Sequence, residues 1–288
     1  MRSSNPVFSR RGFGQGGQAG FNTGPQAQAG NPYAQGAPAA NPYANSPYAN
    51  NPYAQPQQGA PGYAPPTAPQ TDRMTMDDVV SRTGLTLGVV VASAAVAWML
   101  NLNIVIAIVA ALVAMGLAFW QSFKQEPSPG IILSYAVFEG VFLGAMSNFV
   151  NRFAPGAAMQ AVLGTMAVFL AVLFLYKTRI IRVNRRFTQF AIAAGIGYAL
   201  LSLVNLGFAL FGAGDGMGFR TGTVGILMGI AGVCIGALFL ALDFKSVEDG
   251  IAYGAPKKQA WFAAFGLTVT LAWIYFEFLR LAWILNSD

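Results

Sequence analysis

The chain has 288 residues, 55% hydrophobic and 10% charged, with 17 Lys and Arg against 11 Asp and Glu for a formal charge of +6. Soluble domains average about 25% charged residues, so this composition is that of a polytopic membrane protein. There is no histidine and a single cysteine, Cys234, which excludes an intrachain disulfide and removes the side chain that most often binds zinc or copper. Any pH sensing must therefore use carboxylates, and Cys234, inside an apolar run, reads as a small core residue.

Residues 1 to about 71 carry only Arg2, Arg10 and Arg11 as charges and are built from Gly, Ala, Pro, Gln and Asn. With almost nothing to bury, they cannot offset their ordering entropy, and a disordered tail over 1–75 is expected. A short unit recurs there as Asn31-Pro32-Tyr33-Ala34, Asn41-Pro42-Tyr43-Ala44, Ser46-Pro47-Tyr48-Ala49 and Asn51-Pro52-Tyr53-Ala54. It reads either as a solvated tether or as a set of tyrosine contacts for a partner. Ser9-Arg10-Arg11-Gly12-Phe13 has the form of a twin-arginine export signal, but polar sequence follows it where an apolar stretch is required.

Order is expected from Thr75, where Thr75 and Asp78 have capping-box spacing, with a short lead-in helix entering the membrane near Arg82. From there to the end, over 76–288, the expected class is all-α, a seven-transmembrane-helix bundle. Its apolar runs cover 83–101, 104–123, 130–150, 157–176, 187–211, 223–242 and 260–285. Each is long enough to cross about 30 Å of hydrocarbon at about 1.5 Å per residue. The first two share only Asn101, Leu102 and Asn103 as a turn, which predicts a helical hairpin, with one long helix as the alternative.

Placing the tail on one side assigns Arg73, Arg82, Lys124, the cluster Lys177, Arg179, Arg182, Arg185 and Arg186, and then Lys245, Lys257 and Lys258 to that side. Only Arg152 and Arg220 fall in loops on the other. The positive-inside rule then predicts a cytoplasmic amino terminus and an outside carboxy terminus in a plasma (inner) membrane. The 177–186 loop reads as the topology determinant, or as a contact for anionic lipid or an acidic partner.

Ionisable side chains inside such spans are costly and tend to face the bundle interior or a water path. Here they are Glu139, Glu277 and Arg280, with Asp243 at the edge of span six. Gly225, Gly229, Gly232 and Gly236 are spaced 4, 3 and 4, which aligns them on one side of span six for close packing against another helix. Asp243 lies seven residues further on, on the same face, so it either points into the bundle or simply ends the span beside Lys245.

Glu277 shares a face with Thr270 and Gly266, and Arg280 is close enough for an intrahelical ion pair. Glu139 has no basic residue within a turn. It lies roughly 13 Å into its span and Glu277 roughly 25 Å into its own, counted from the basic side. No constellation for metal, nucleophilic or nucleotide chemistry is present, so neither an enzyme, a cofactor nor a nucleic-acid partner is expected.

Leu240-Ala241-Leu242-Asp243-Phe244 and Ile274-Tyr275-Phe276-Glu277-Phe278-Leu279-Arg280-Leu281 resemble the corresponding segments of the Bax inhibitor-1 family, seven-helix membrane proteins. Met1 to Arg10 and the run from Gly254-Ala255-Pro256-Lys257-Lys258 to Tyr275 look like an actinobacterial branch of it. The resemblance implies a bundle of the Bax inhibitor-1 type working as a pH-sensitive calcium or cation leak. In the family two aspartates form a proton-sharing pair near the cytoplasmic side of a pore, and an arginine in span two latches it.

Asp243 and Glu277 take the places of that pair, as the titrating gate and as transient ligands for calcium. This chain has a glutamate as the second acid, an interval of 34 residues between the two, and no arginine in span two. A simple hairpin would leave the two acids more than about 15 Å apart in depth. Contact therefore calls for a broken or re-entrant helix, with Gly250, Gly254, Pro256 and Gly266 as break points, and otherwise Glu139 is the expected partner of Glu277. A non-transporting regulator that binds a membrane protease or another membrane protein is the alternative function, and a proton-coupled carrier a third.

Overall fold

The computed structural model describes residues 72–211 and 218–286. Residues 1–71, and with them the expected disordered tail and its tyrosine units, lie outside the described residues. Seven helices follow one another: α1 Met76–Met99, α2 Ile104–Phe123, α3 Pro129–Phe153, α4 Ala157–Lys177, α5 Arg185–Leu210, α6 Gly222–Ala252 and α7 Ala260–Asn286. All seven are long and apolar enough to cross a membrane. Among the described residues there is no strand, only an isolated bridge between Arg73 and Pro256.

Local sequence sets the helix ends. Thr75 and Asp78 form the expected capping box at the start of α1. Asn103 and Asn184 accept backbone N–H bonds as the N-caps of α2 and α5, and Pro129 opens α3 where its missing N–H costs nothing. The α1–α2 hairpin closes through Asn101 with φ 51°, and α4 is ended by Arg179 with φ 58°. Both are left-handed positions of the kind that stop a helix.

Three boundaries differ from the sequence expectation. The lead-in and the first span are one uninterrupted helix, since nothing between Met76 and Met99 breaks the backbone ladder. Helix α6 runs ten residues past Leu242 to Ala252, held in helical form through a polar stretch in which Lys245 pairs with Asp249 one turn on. Helix α7 is continuous through Gly266 from Ala260, so the turn at Tyr253–Pro256, with Gly254 at φ 66°, is the only interruption between α6 and α7 among the break points expected.

Helix α7 is the axis of the bundle. It touches α1, α3, α4 and α6, and Ile274 and Leu279 are fully buried on it. Helices α1 and α3 cross closely because Gly140 and Gly144 lie against the backbone of Val90 and Ala94, where a Cβ would clash. Helix α5 is the outlier. It leans on α6 along a narrow stripe whose buried members are Ala191, Gly195 and Tyr198. Cys234 is exposed on α6 rather than in the core, because the glycine stripe, not the cysteine, faces α7.

The basic end of the bundle is tied together around the α6–α7 turn. Met74 N–H donates to Ala255 O at 2.8 Å, Lys257 Nζ pairs with Asp78 at 3.1 Å, and Arg82 donates to Lys257 O while stacking over Trp261. The cap of α1 is thus also the clasp that holds α7 at its first turn.

Candidate functional site

The four glycines of α6 all face α7, as their spacing requires. A Cβ at Gly225 would meet Ile284, at Gly229 Leu281, at Gly232 the carboxyl of Glu277, and at Gly236 Ile274. This register fixes where each acid sits. Glu277 is opposite Gly232 in the far half of the bundle, away from the basic end. Asp243 is opposite Gly266 and Thr270, and Thr270 Oγ1 donates to its Oδ2 at 2.6 Å.

With α7 unbroken, Asp243 and Glu277 lie about 10 to 17 Å apart along the helix axis at the usual rise. The expected carboxylate pair is therefore not formed, and the place on α7 facing Asp243 holds a threonine. Thr270 and Gly266 share a face of α7 with Glu277, as their spacing predicts, and that face meets Asp243 at their level.

Glu277 is the most deeply buried of the three acids, with its side chain 4% exposed, and it is fully engaged. Tyr198 of α5 donates its hydroxyl to Oε1 at 2.6 Å. Arg280, one turn along α7, pairs with Oε2, as the i,i+3 spacing predicts. Arg220, from the segment between α5 and α6, reaches Oε1 at 3.6 Å, donates to the Tyr198 hydroxyl and lies over the Tyr198 ring, 5.0 Å from its centroid. Trp273 stacks on that ring as well, at 5.7 Å between centroids.

Among the described residues the cluster holds two guanidinium groups and one carboxylate, and the Nε of each arginine is buried there without a hydrogen-bond partner. It ties three elements, α5, α7 and the segment before α6, to one acid.

Glu139 is not a partner of Glu277. It is half-buried on α3, and its polar neighbour is Tyr135, one turn earlier on the same helix. Tyr135 packs edge-on against Phe265 of α7 at 5.2 Å. Glu139 and Asp243 thus reach a similar depth from the basic end, beside different faces of α7. Among the described residues no three acidic or thiol side chains converge on a common point.

Sequence reasoning missed Tyr198 and Arg220. Tyr198 gives no signal in its own span, but Arg220 does. It is one of only two basic residues assigned to far-side loops, and Glu277 and Arg280 lie near that same end.

A bundle of seven helices, each long and apolar enough to cross a membrane, with buried or half-buried acids on α3, α6 and α7, defines a multi-pass membrane protein. A family model described as Bax inhibitor 1 like matches residues 5–287, and the chain belongs to that family. No curated protein matches the chain at a significant level.

Proposed function

We propose that this protein is a pH-sensitive leak for calcium or another cation, in which Asp243 is the titrating group and the Glu277 cluster is the latch that keeps the far end closed. Family membership supports the reading, and one observation carries it. Asp243 is half-buried among membrane-spanning helices with Thr270 as its hydrogen-bond donor and, among the described residues, no cationic side chain within ion-pair distance. A carboxylate in low dielectric without a counter-charge is stabilised by binding either a proton or a cation, and the two compete.

The groups around each acid give the gate its sign. Asp243 faces Thr270 and Gly266 of α7, while Lys245 is engaged with Asp249. Ionised Asp243 attracts a cation to the basic-end half of the bundle; protonated Asp243 does not. Flux should therefore rise with pH. Glu277 faces Tyr198, Arg220 and Arg280, so its charge neutralises two guanidinium groups. Removing that charge leaves them to repel each other and frees the segment that carries Arg220.

Calcium flux into proteoliposomes at about pH 6, 7 and 8 tests this. Wild-type flux should increase with pH, Asp243→Asn should be low and flat, and Glu277→Gln should leak more at every pH. No flux above empty liposomes at any pH would overturn the leak and move the function to a regulator that binds another membrane protein, with its face to the basic loop of residues 177–186.

A further inference from the structure

Helices α1 and α4 both pack on α7, yet a crevice separates them. Its inner part is a cavity of about 440 Å³ with walls from Val91 of α1 and Met166 of α4 and a floor at Leu271 of α7. A second cavity, of about 1090 Å³, continues it toward the basic end, and the two share Leu87 and Phe169. The mouth of this second part is lined by Lys177, Arg179 and Arg182, with Lys245 on the α6 side. Among the described residues none of the first three is paired with a carboxylate, whereas Lys245 is engaged by Asp249. The one acid lining the mouth, Glu248, accepts a hydrogen bond from the Tyr176 hydroxyl.

The crevice is therefore apolar along its inner length and cationic at its end. Water gains few partners in the inner part, and an unfilled apolar space forfeits the dispersion contacts of its walls. We infer that this crevice is a binding site for one membrane phospholipid with an anionic phosphate headgroup, its acyl chain lying between α1 and α4 past Leu87 and Phe169 and its phosphate held by Lys177, Arg179 and Arg182. The charge complementarity selects the occupant. A zwitterionic lipid would fill the apolar part equally well but carries a cationic group into a mouth where three cations are unpaired. Guanidinium groups suit phosphate oxygens through their fork of parallel N–H donors. The left-handed turn at Arg179 presents these side chains at the end of α4 rather than continuing the helix.

The full chain would be purified from vesicles of phosphatidylcholine with phosphatidylglycerol, and the lipid retained after detergent exchange counted by native mass spectrometry. One phosphatidylglycerol per chain is expected, retained at least tenfold over phosphatidylcholine. The triple substitution Lys177→Gln, Arg179→Gln and Arg182→Gln should abolish the preference. Arg185→Gln with Arg186→Gln, at the first turn of α5 and outside the lining of the crevice, should keep it.

Gly84→Phe provides an independent arm. A Cβ at Gly84 meets nothing within 4 Å and its side chain would grow into the crevice, so the bundle should fold with the basic mouth intact and the lipid displaced. Wild type retaining no lipid, retention of both lipids equally, equal loss in the Arg185/Arg186 variant, or full retention in Gly84→Phe would each overturn the site.

Discussion

Gly232 of α6 lies directly against the carboxyl group of Glu277, with no space between them for a methyl group. The small-residue stripe that brings α6 and α7 together is thus also what admits a charged side chain into their interface. Gly232→Ala should push Glu277 off Tyr198 and the two arginines, at a cost of about 1–3 kcal/mol from overpacking. Thermal unfolding in detergent should show a clear loss for this variant. Gly84→Ala, which meets open space, should show little.

Glu277→Gln should be the most destabilising single change among the three acids. It leaves Arg220 and Arg280 buried without their shared counter-charge, a situation that typically costs about 3–5 kcal/mol. Removing one guanidinium at the same time, as in Glu277→Gln with Arg280→Gln, should recover part of the loss. A double-mutant cycle on unfolding temperature measures the coupling, and strict additivity would show that the cluster is not a unit.

Asp243→Asn should behave in the opposite way. The amide oxygen still accepts from Thr270, and no cation is left unpaired, so stability should hold or rise slightly while the pH dependence of flux disappears. Thr270→Val removes the donor without touching the charge. It should leave flux pH-dependent, which separates the charge of Asp243 from its hydrogen bond.

Thr75→Ala removes the N-cap side chain of α1, worth about 1 kcal/mol in helix termini generally. The effect should spread beyond α1. Asp78, the other half of the box, also holds Lys257 at the α6–α7 turn, so hydrogen exchange at residues 255–259 should accelerate along with that at 76–80. Acceleration confined to 76–80 would separate the cap from the clasp.

The seven spans, the α1–α2 hairpin, the capping box and the α6 glycine face were legible because each depends on local pattern: hydropathy over about twenty residues, one turn signal, or a period of 3.6. The partners of the acids were not legible, for a reason that lies in antiparallel packing. Which residue of α7 faces Asp243 depends on where the α6–α7 turn falls, and α6 extends helically to Ala252 through Lys245, Glu248 and Asp249, residues whose polarity suggested an earlier end. With α7 unbroken at Gly266, the separation expected of a simple hairpin holds, and what was not legible is that Glu277 then lies beside Tyr198 and Arg220. The arginines near the acid come from α7 itself and from the segment ahead of α6 rather than from span two.

Helix α5 packs on α6 along one thin line, and its polar attachments among the described residues include the Tyr198 hydroxyl on Glu277 and Asn205, whose Oδ1 accepts from Phe219 N–H at 2.9 Å. If the proposed latch holds, neutralising Glu277 loosens a polar tie between α5 and α7, and a distance probe between these two helices reads that change without any ion being transported.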